Sequence, residues 1–194
     1  MVPSPSPSDK ATIRAELRSR RRLHVASLSA DERAVLESKL VAVLLPLLSS
    51  ARIVGGYSAR GSEISVEPVL RFAMNHGISA AYPAFVSAES PMIFRLGTCA
   101  EDCPVGGVQP PVQARKVTPD LLLVPLLGAD HHGNRIGQGG GHYDRAIPDL
   151  RAKGTRIIGV GWNFQLLDTP LVADPWDAPL DGFASPDGVV EFTA

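Results

Sequence analysis

The 194-residue chain has only two cysteines, no apolar run that approaches a membrane span, and almost no net charge, −1 at pH 7. Two cysteines, Cys99 and Cys103, cannot make a structural zinc site, which needs four ligands. Adjacent His131 and His132 point in different directions on most backbones and do not complete one. A disulfide is not expected, because a cytosolic chain rarely keeps one. The short apolar runs exclude a transmembrane helix. The near-neutral charge excludes bulk attraction to nucleic acid or anionic lipid. Residues 1–9 lack the apolar segment of a signal peptide, so they read as a disordered lead-in and a cytoplasmic location is expected. There is no internal repeat and no linker, and residues 10–194 read as one domain.

Two further absences concern the glycine-rich stretch Arg135-Ile-Gly-Gln-Gly-Gly-Gly-His-Tyr-Asp-Arg145. No lysine follows the glycines, as a Walker A loop requires. Position 142 is His142 and not the third glycine of a dinucleotide fingerprint. What is present still suits a polyphosphate. Glycines at 137, 139, 140 and 141 let the backbone enter φ > 0 and turn several N–H groups toward one anion. His142 to Arg151 reads as a helix, which puts those donors at a helix N-terminus. Arg135 and Arg145 bracket the loop with guanidinium forks. The bland alternative is a flexible surface loop.

The remaining pattern places this loop in an α/β domain. Lys10 to Ala26 is helix-like, capped by Ser8 or Asp9, with Ile13, Leu17 and Arg20 or Arg21 on one face. Ser29-Ala30-Asp31-Glu32 is a capping box opening a second helix, striped by Val35, Leu36, Leu40, Val43 and Leu44 and limited by Pro46. Strands are expected at Arg52–Tyr57, Ile78–Tyr82, Pro91–Leu96, Leu121–Leu127 (broken near Pro125), Thr155–Trp162 and, briefly, Gly182–Ser185. A helix is expected from Val66 to Asn75 with Gly77 just beyond it. Residues 97–119 show no periodicity. The alternation predicts a three-layer α/β/α sandwich with a mostly parallel sheet, and ligands of such sheets bind beyond the C-terminal strand ends.

Lys10-Ala-Thr-Ile-Arg14, Glu63, Asp120 to Pro125, the pattern from Gly133 to Arg145, Gln165, and Asp177 with Asp181 follow one another in an order that resembles the 5-formyltetrahydrofolate cyclo-ligase family. The resemblance covers nearly the whole length. It implies a fold similar to that of sugar-phosphate isomerases and CoA transferases. It also implies ATP- and Mg²⁺-dependent closure of 5-formyltetrahydrofolate to 5,10-methenyltetrahydrofolate; a monomer is expected, and charge and hydropathy point to no nucleic-acid or membrane partner. By the same resemblance, ATP would be held by Lys10, Arg14, Arg135, Gly137, Gln138, Gly139, Gly140, Gly141, His142, Tyr143 and Arg145. The folate would meet Glu63, Gln138, His142 and the three consecutive glycines, Arg135 and Tyr143 would be catalytic, and Asp144 and Asp177 would hold the metal. Two positions depart from the family pattern: His142 stands where a second tyrosine is common, and Val66 where a threonine often follows the glutamate.

The chemistry suits these residue types. A formamide closes slowly because it would have to expel oxide or hydroxide. Phosphorylating the formyl oxygen gives an N5-iminium phosphate, which N10 can attack with phosphate as leaving group. Such a reaction needs positioning and positive charge rather than a side-chain nucleophile. Other features read more plainly: Arg18-Ser-Arg-Arg-Arg22 as a solvated helix face, Asp181 as a turn residue, Gln165 as ordering a loop, and Trp162 as either core or a stacking surface. A folate- or nucleotide-binding protein without catalysis stays open. So does a sugar-phosphate isomerase, although that would need a carboxylate placed for proton abstraction.

Overall fold

The computed structural model describes residues 7–192. Helices α1 (Pro7–Ala26) and α2 (Ala30–Leu48) precede strand β1 (Ile53–Gly55), and α3 (Glu67–Asn75) leads to β2 (Ser79–Ala84) and β3 (Ile93–Leu96). Short strands β4 (Glu101–Asp102), β5 (Val108–Gln109) and β6 (Lys116–Val117) follow. Then come β7 (Leu121–Pro125), β8 (Gly128–Asp130), β9 (Arg135–Ile136), α4 (His142–Arg151), β10 (Arg156–Val160), β11 (Leu166–Leu167), β12 (Gly182–Ser185) and β13 (Gly188–Glu191). The main sheet runs β13-β12-β10-β7-β1-β2-β3-β6. Its five inner strands, β12 to β2, are parallel and its edges antiparallel.

The sandwich follows from alternation within buried strands. Leu121 and Leu123 join the cluster formed with α2 and α3. Leu122 and Val124 join the opposite cluster, which holds Ile147 and Leu150 of α4. All four strand residues are at most 2% exposed, as expected for a strand covered on both faces. Helices therefore lie on both sides of the sheet, as the sequence predicts. A second, three-stranded sheet, β11-β8-β9, carries α1: Leu17 packs against Leu127 and Ile136, with Ile13 beside them. This positions α1 over the start of the glycine loop.

Several boundaries differ from those read in the sequence. The first helix is assigned from Pro7, so Ser8 and Asp9 lie in its first turn rather than capping it. Of the expected lead-in over 1–9, residues 1–6 lie outside the described residues. Pro46 does not end α2, which runs to Leu48. Only the last turn follows that proline, and it is kept by buried Leu47 and Leu48 and by the Ser49 N–H donating to the Leu45 carbonyl at 3.1 Å. Arg52–Tyr57 narrows to Ile53–Gly55, and Leu121–Leu127 ends at Pro125, whose missing N–H stops the ladder. The supposedly irregular 97–119 region contains β4, β5 and β6. Gly77, at φ 79°, follows α3 as expected.

Candidate active site

Beyond the C-terminal ends of β1, β2 and β7 lies a cleft of about 820 Å³. Every residue singled out from the sequence for nucleotide, folate, metal or catalysis lines it. Separated segments meet there: α1, the loop after β1, residues 83–108, the 135–145 loop with the start of α4, and residues 174–177.

The glycine loop supplies donors. Gly139 and Gly141 have φ of 101° and 63°, whereas Gly140 between them does not enter that region. This alternation turns successive N–H groups to one side, as in an anion nest. Gly141 is also the N-cap of α4, with no side chain capping the helix. Among the described residues, the N–H groups of Gly139 to Tyr143 meet no acceptor. Beside Gly139 stands Arg14, whose Nε is buried and has no hydrogen-bond partner. A buried guanidinium N–H left unsatisfied is costly, and an anion in the cleft would satisfy it.

Cations and carboxylates interlock around these donors. Arg135 is 8% exposed; one of its Nη atoms donates to Asp144 Oδ1 at 2.6 Å and the other to the Ala178 carbonyl. Burial lowers its pKa, Asp144 and Asp177 oppose that, and a guanidinium stays charged regardless. Lys10 Nζ reaches Asp174 at 2.6 Å and Asp177 at 2.8 Å. Burial pulls the Lys10 pKa down, but the two carboxylates outweigh it and the net shift is upward. The Tyr143 hydroxyl is pushed well above the usual tyrosine range, first by burial and then by Glu63, so it remains a donor.

Glu63 is held at 7% exposure by a network that sequence reasoning missed. Its Oε2 accepts the Arg60 N–H at 2.9 Å, its Oε1 accepts Gln138 Nε2 at 3.3 Å, and Arg21 Nη2 lies 3.8 Å away. Arg21 is 4% exposed and also donates to Ser62 Oγ and the Leu126 carbonyl, each at 3.1 Å. Arg18 donates to Gln138 Oε1 at 3.0 Å. The basic run is therefore solvated only in part: Ser19, Arg20 and Arg22 are exposed, whereas Arg21 is buried and Arg18 reaches the glycine loop. Residues 10, 14, 18 and 21 repeat at helical spacing, and that periodicity is the signal that could have grouped them. Asp174 and Trp176 were also missed; both line the cleft from a segment with no periodicity.

The two departures from the family pattern have local roles. Burial, then Arg145, lowers the pKa of His142, leaving its ring neutral. Its Nδ1 lies 3.0 Å from Arg145 Nη2, which can only donate, so Nδ1 accepts and Nε2 carries the proton. The ring packs edge-on to Phe85 at 4.9 Å. Val66 is fully buried at the N-cap of α3, where it gives core packing and no cap hydrogen bond. Phe85, Met92, Val105 and the free thiols Cys99 and Cys103 form the apolar part of the lining. Burial, with Glu67 and Cys103 adding, pushes the Cys99 thiol up to about 11, which disfavours the nucleophilic thiolate.

The plainer sequence readings fit their surroundings. Gln165 ties loops together, donating to the Leu126 and Leu127 carbonyls at 2.8 and 2.9 Å and accepting from the Trp162 N–H. Asp181 accepts the Ile157 N–H at 2.7 Å and pairs with Arg151. Trp162 is 1% exposed and belongs to the core.

Residues 6–186 match the model of the 5-formyltetrahydrofolate cyclo-ligase family. The 5-formyltetrahydrofolate cyclo-ligase of Escherichia coli (strain K12) is 34% identical over 88 residues, which span 43% of this chain and 48% of that protein. The enzyme of the same name from Mycoplasma pneumoniae is 40% identical over 62 residues, 32% of this chain and 36% of that protein. These curated relatives are thus matched over about half their length or less. A solved 5,10-methenyltetrahydrofolate synthetase from Mycoplasma pneumoniae superposes with a TM-score of 0.67 at 27% identity, covering 92% of this chain and 99% of that one. The Aquifex aeolicus 5,10-methenyltetrahydrofolate synthetase shares the fold, with a TM-score of 0.74 at 24% identity and 94% coverage of each chain. No helix among the described residues is long and apolar enough to cross a membrane.

Proposed function

The chain belongs to the 5-formyltetrahydrofolate cyclo-ligase family, and from that premise we propose that its cleft closes 5-formyltetrahydrofolate to 5,10-methenyltetrahydrofolate with consumption of ATP. The observation that carries this reading is the convergence of partnerless donors, the N–H groups of Gly139 to Tyr143 and the buried Arg14 Nε, in a cleft that also has an apolar wall and a buried glutamate. A triphosphate satisfies the donors. A pterin suits the apolar wall, with Glu63 as an acceptor for its ring N–H groups.

The γ-phosphoryl group passes to the formyl oxygen, giving an N5-iminium phosphate and ADP. N10 then attacks the formyl carbon and loses its proton, and phosphate departs with the former formyl oxygen. Arg135 meets charge on the transferring oxygens, and its ion pair with Asp144 holds the guanidinium in place beforehand. Tyr143, kept protonated, donates to an oxygen at the same centre. His142 is neutral and adds no charge beside the substrate.

Magnesium fits the donor set. Asp144, Asp174 and Asp177 offer hard carboxylate oxygens, and Lys10 and Arg135 neutralise only two of those three charges. Among the described residues no three metal-ligating side chains converge, so a cation there would rely on phosphate oxygens and water for its other ligands, which is how Mg²⁺ is usually held. When bound it would neutralise charge on the β- and γ-phosphates. Asp144→Asn and Asp177→Asn are each expected to raise the Mg²⁺ concentration needed for half-maximal turnover without unfolding the chain. Unchanged Mg²⁺ dependence in both variants would remove the metal assignment and leave these residues as anchors for Arg135 and Lys10.

The activity itself is tested by mixing the protein with 5-formyltetrahydrofolate, ATP and Mg²⁺. We expect a near-ultraviolet absorbance rise from the methenyl product, with one ADP formed per ring closed. ADP formed at the same rate without the folate, or no chromophore, would overturn the reading.

A further inference from the structure

The chain has two tryptophans. Trp162 is sealed in the core, its Nε1 donating to the Ser62 carbonyl at 3.1 Å, whereas Trp176 is 70% exposed and lines the cleft. The exposure is built in. Residues 174–177 form a closed turn, with the Asp174 N–H donating to Asp177 Oδ2 at 2.8 Å and the Asp177 N–H to the Asp174 carbonyl at 3.0 Å. Lys10 clamps both carboxylates from α1. Just beyond the turn, Ala178 gives its carbonyl to Arg135 and its N–H to Asp144 Oδ1 at 3.5 Å. Trp176 thus stands between two anchors, and both anchors are side chains gathered around the glycine loop.

We propose that Trp176 is the base-stacking wall of the nucleotide site, its indole lying against the purine of the ATP whose phosphates occupy the glycine loop. The proposal rests on the nucleotide reading above. A purine lies one ribose away from the phosphates, so its platform must sit beside the phosphate anchors and not among them, which is where the pinned turn holds the indole. The turn is tied to Lys10 and Arg135, while the apolar wall suited to a pterin comes from other segments, at Phe85, Met92 and Val105. A large flat side chain has few torsions to freeze, and every base has a face that can stack on it.

The test measures binding to the full chain by calorimetry, with Mg·ATP, inorganic tripolyphosphate and 5-formyltetrahydrofolate as separate probes. It is run on the wild type, Trp176→Ala and Trp176→Phe. Trp176→Ala is expected to weaken ATP about tenfold and leave tripolyphosphate unchanged, while Trp176→Phe stays within a few-fold of wild type. Tryptophan emission should respond to ATP but not to tripolyphosphate, and this response should vanish in Trp176→Phe. The proposal fails if Trp176→Ala binds ATP normally. It also fails if ATP and tripolyphosphate weaken equally, because the turn rather than the indole would then matter, or if the folate is weakened instead of ATP. Should neither ATP nor tripolyphosphate bind the wild type, the nucleotide reading itself falls.

Discussion

Arg135→Lys is expected to lower kcat by on the order of a hundredfold while changing the KM for ATP only slightly. Phosphoryl transfer spreads charge over equatorial oxygens, and a fixed fork of donors meets that charge better than a mobile ammonium. Arg135 is fixed: its side chain is 4% exposed and is held by Asp144 and by the Ala178 carbonyl. Lysine is the informative replacement. Alanine would leave Asp144 without its partner and the Ala178 carbonyl without its donor, so lost folding would be mixed with lost catalysis. Steady-state kinetics with a melting curve separates the roles. A lower Tm with kcat unchanged would make Arg135 an architectural residue, and a rise in KM alone would make it a ground-state ligand.

Gly139→Ala is expected to raise the KM for ATP at least tenfold. At φ 101° a side chain is strained, by about 1–2 kcal/mol even at the milder left-handed angles. The loop can escape that strain only by turning a peptide and losing the convergence of its N–H groups. Gly137 offers the comparison, because its φ is not in that region and an added Cβ would meet nothing within 4 Å. Gly137→Ala should fold as stably as the parent and retain much more of the affinity for ATP. Equal KM values in the two variants would mean that the alternating glycine conformation does not bind the nucleotide.

The parts of this site that could be read in the sequence are those whose chemistry is local. The glycines announce a left-handed backbone wherever they stand, and Leu121 to Val124 announce a doubly covered strand through an unbroken apolar run. Lys10 and Arg14 share a helix face by spacing, but spacing alone leaves them surface charges, and it is the resemblance to the family that marks them, Glu63 and Asp177 as candidate site residues. Arg21 could not be read in the same way. An arginine is buried only where carbonyls and a carboxylate receive it, and its partners Ser62, Glu63 and Leu126 arrive from distant segments. The basic run therefore looked solvated. Strands β4 to β6 are two residues each, too short to show a period, and the helix runs two residues past Pro46 because Leu47 and Leu48 are buried there. The 174–177 turn is closed by its own aspartates and by Lys10, a contact spanning most of the chain length, so only the family resemblance, through Asp177, points to this segment, and Trp176 carries no local signal of its own.

In the proposed mechanism the formyl oxygen accepts the γ-phosphoryl group, and isotopic labelling of that oxygen reads the step directly. The reaction is run with 5-formyltetrahydrofolate carrying ¹⁸O in the formyl group, and the released phosphate is analysed by mass. One labelled oxygen in each phosphate is the predicted result, because the N5-iminium phosphate breaks at its carbon–oxygen bond when N10 closes the ring. Unlabelled phosphate, with the ¹⁸O recovered in water, would contradict it.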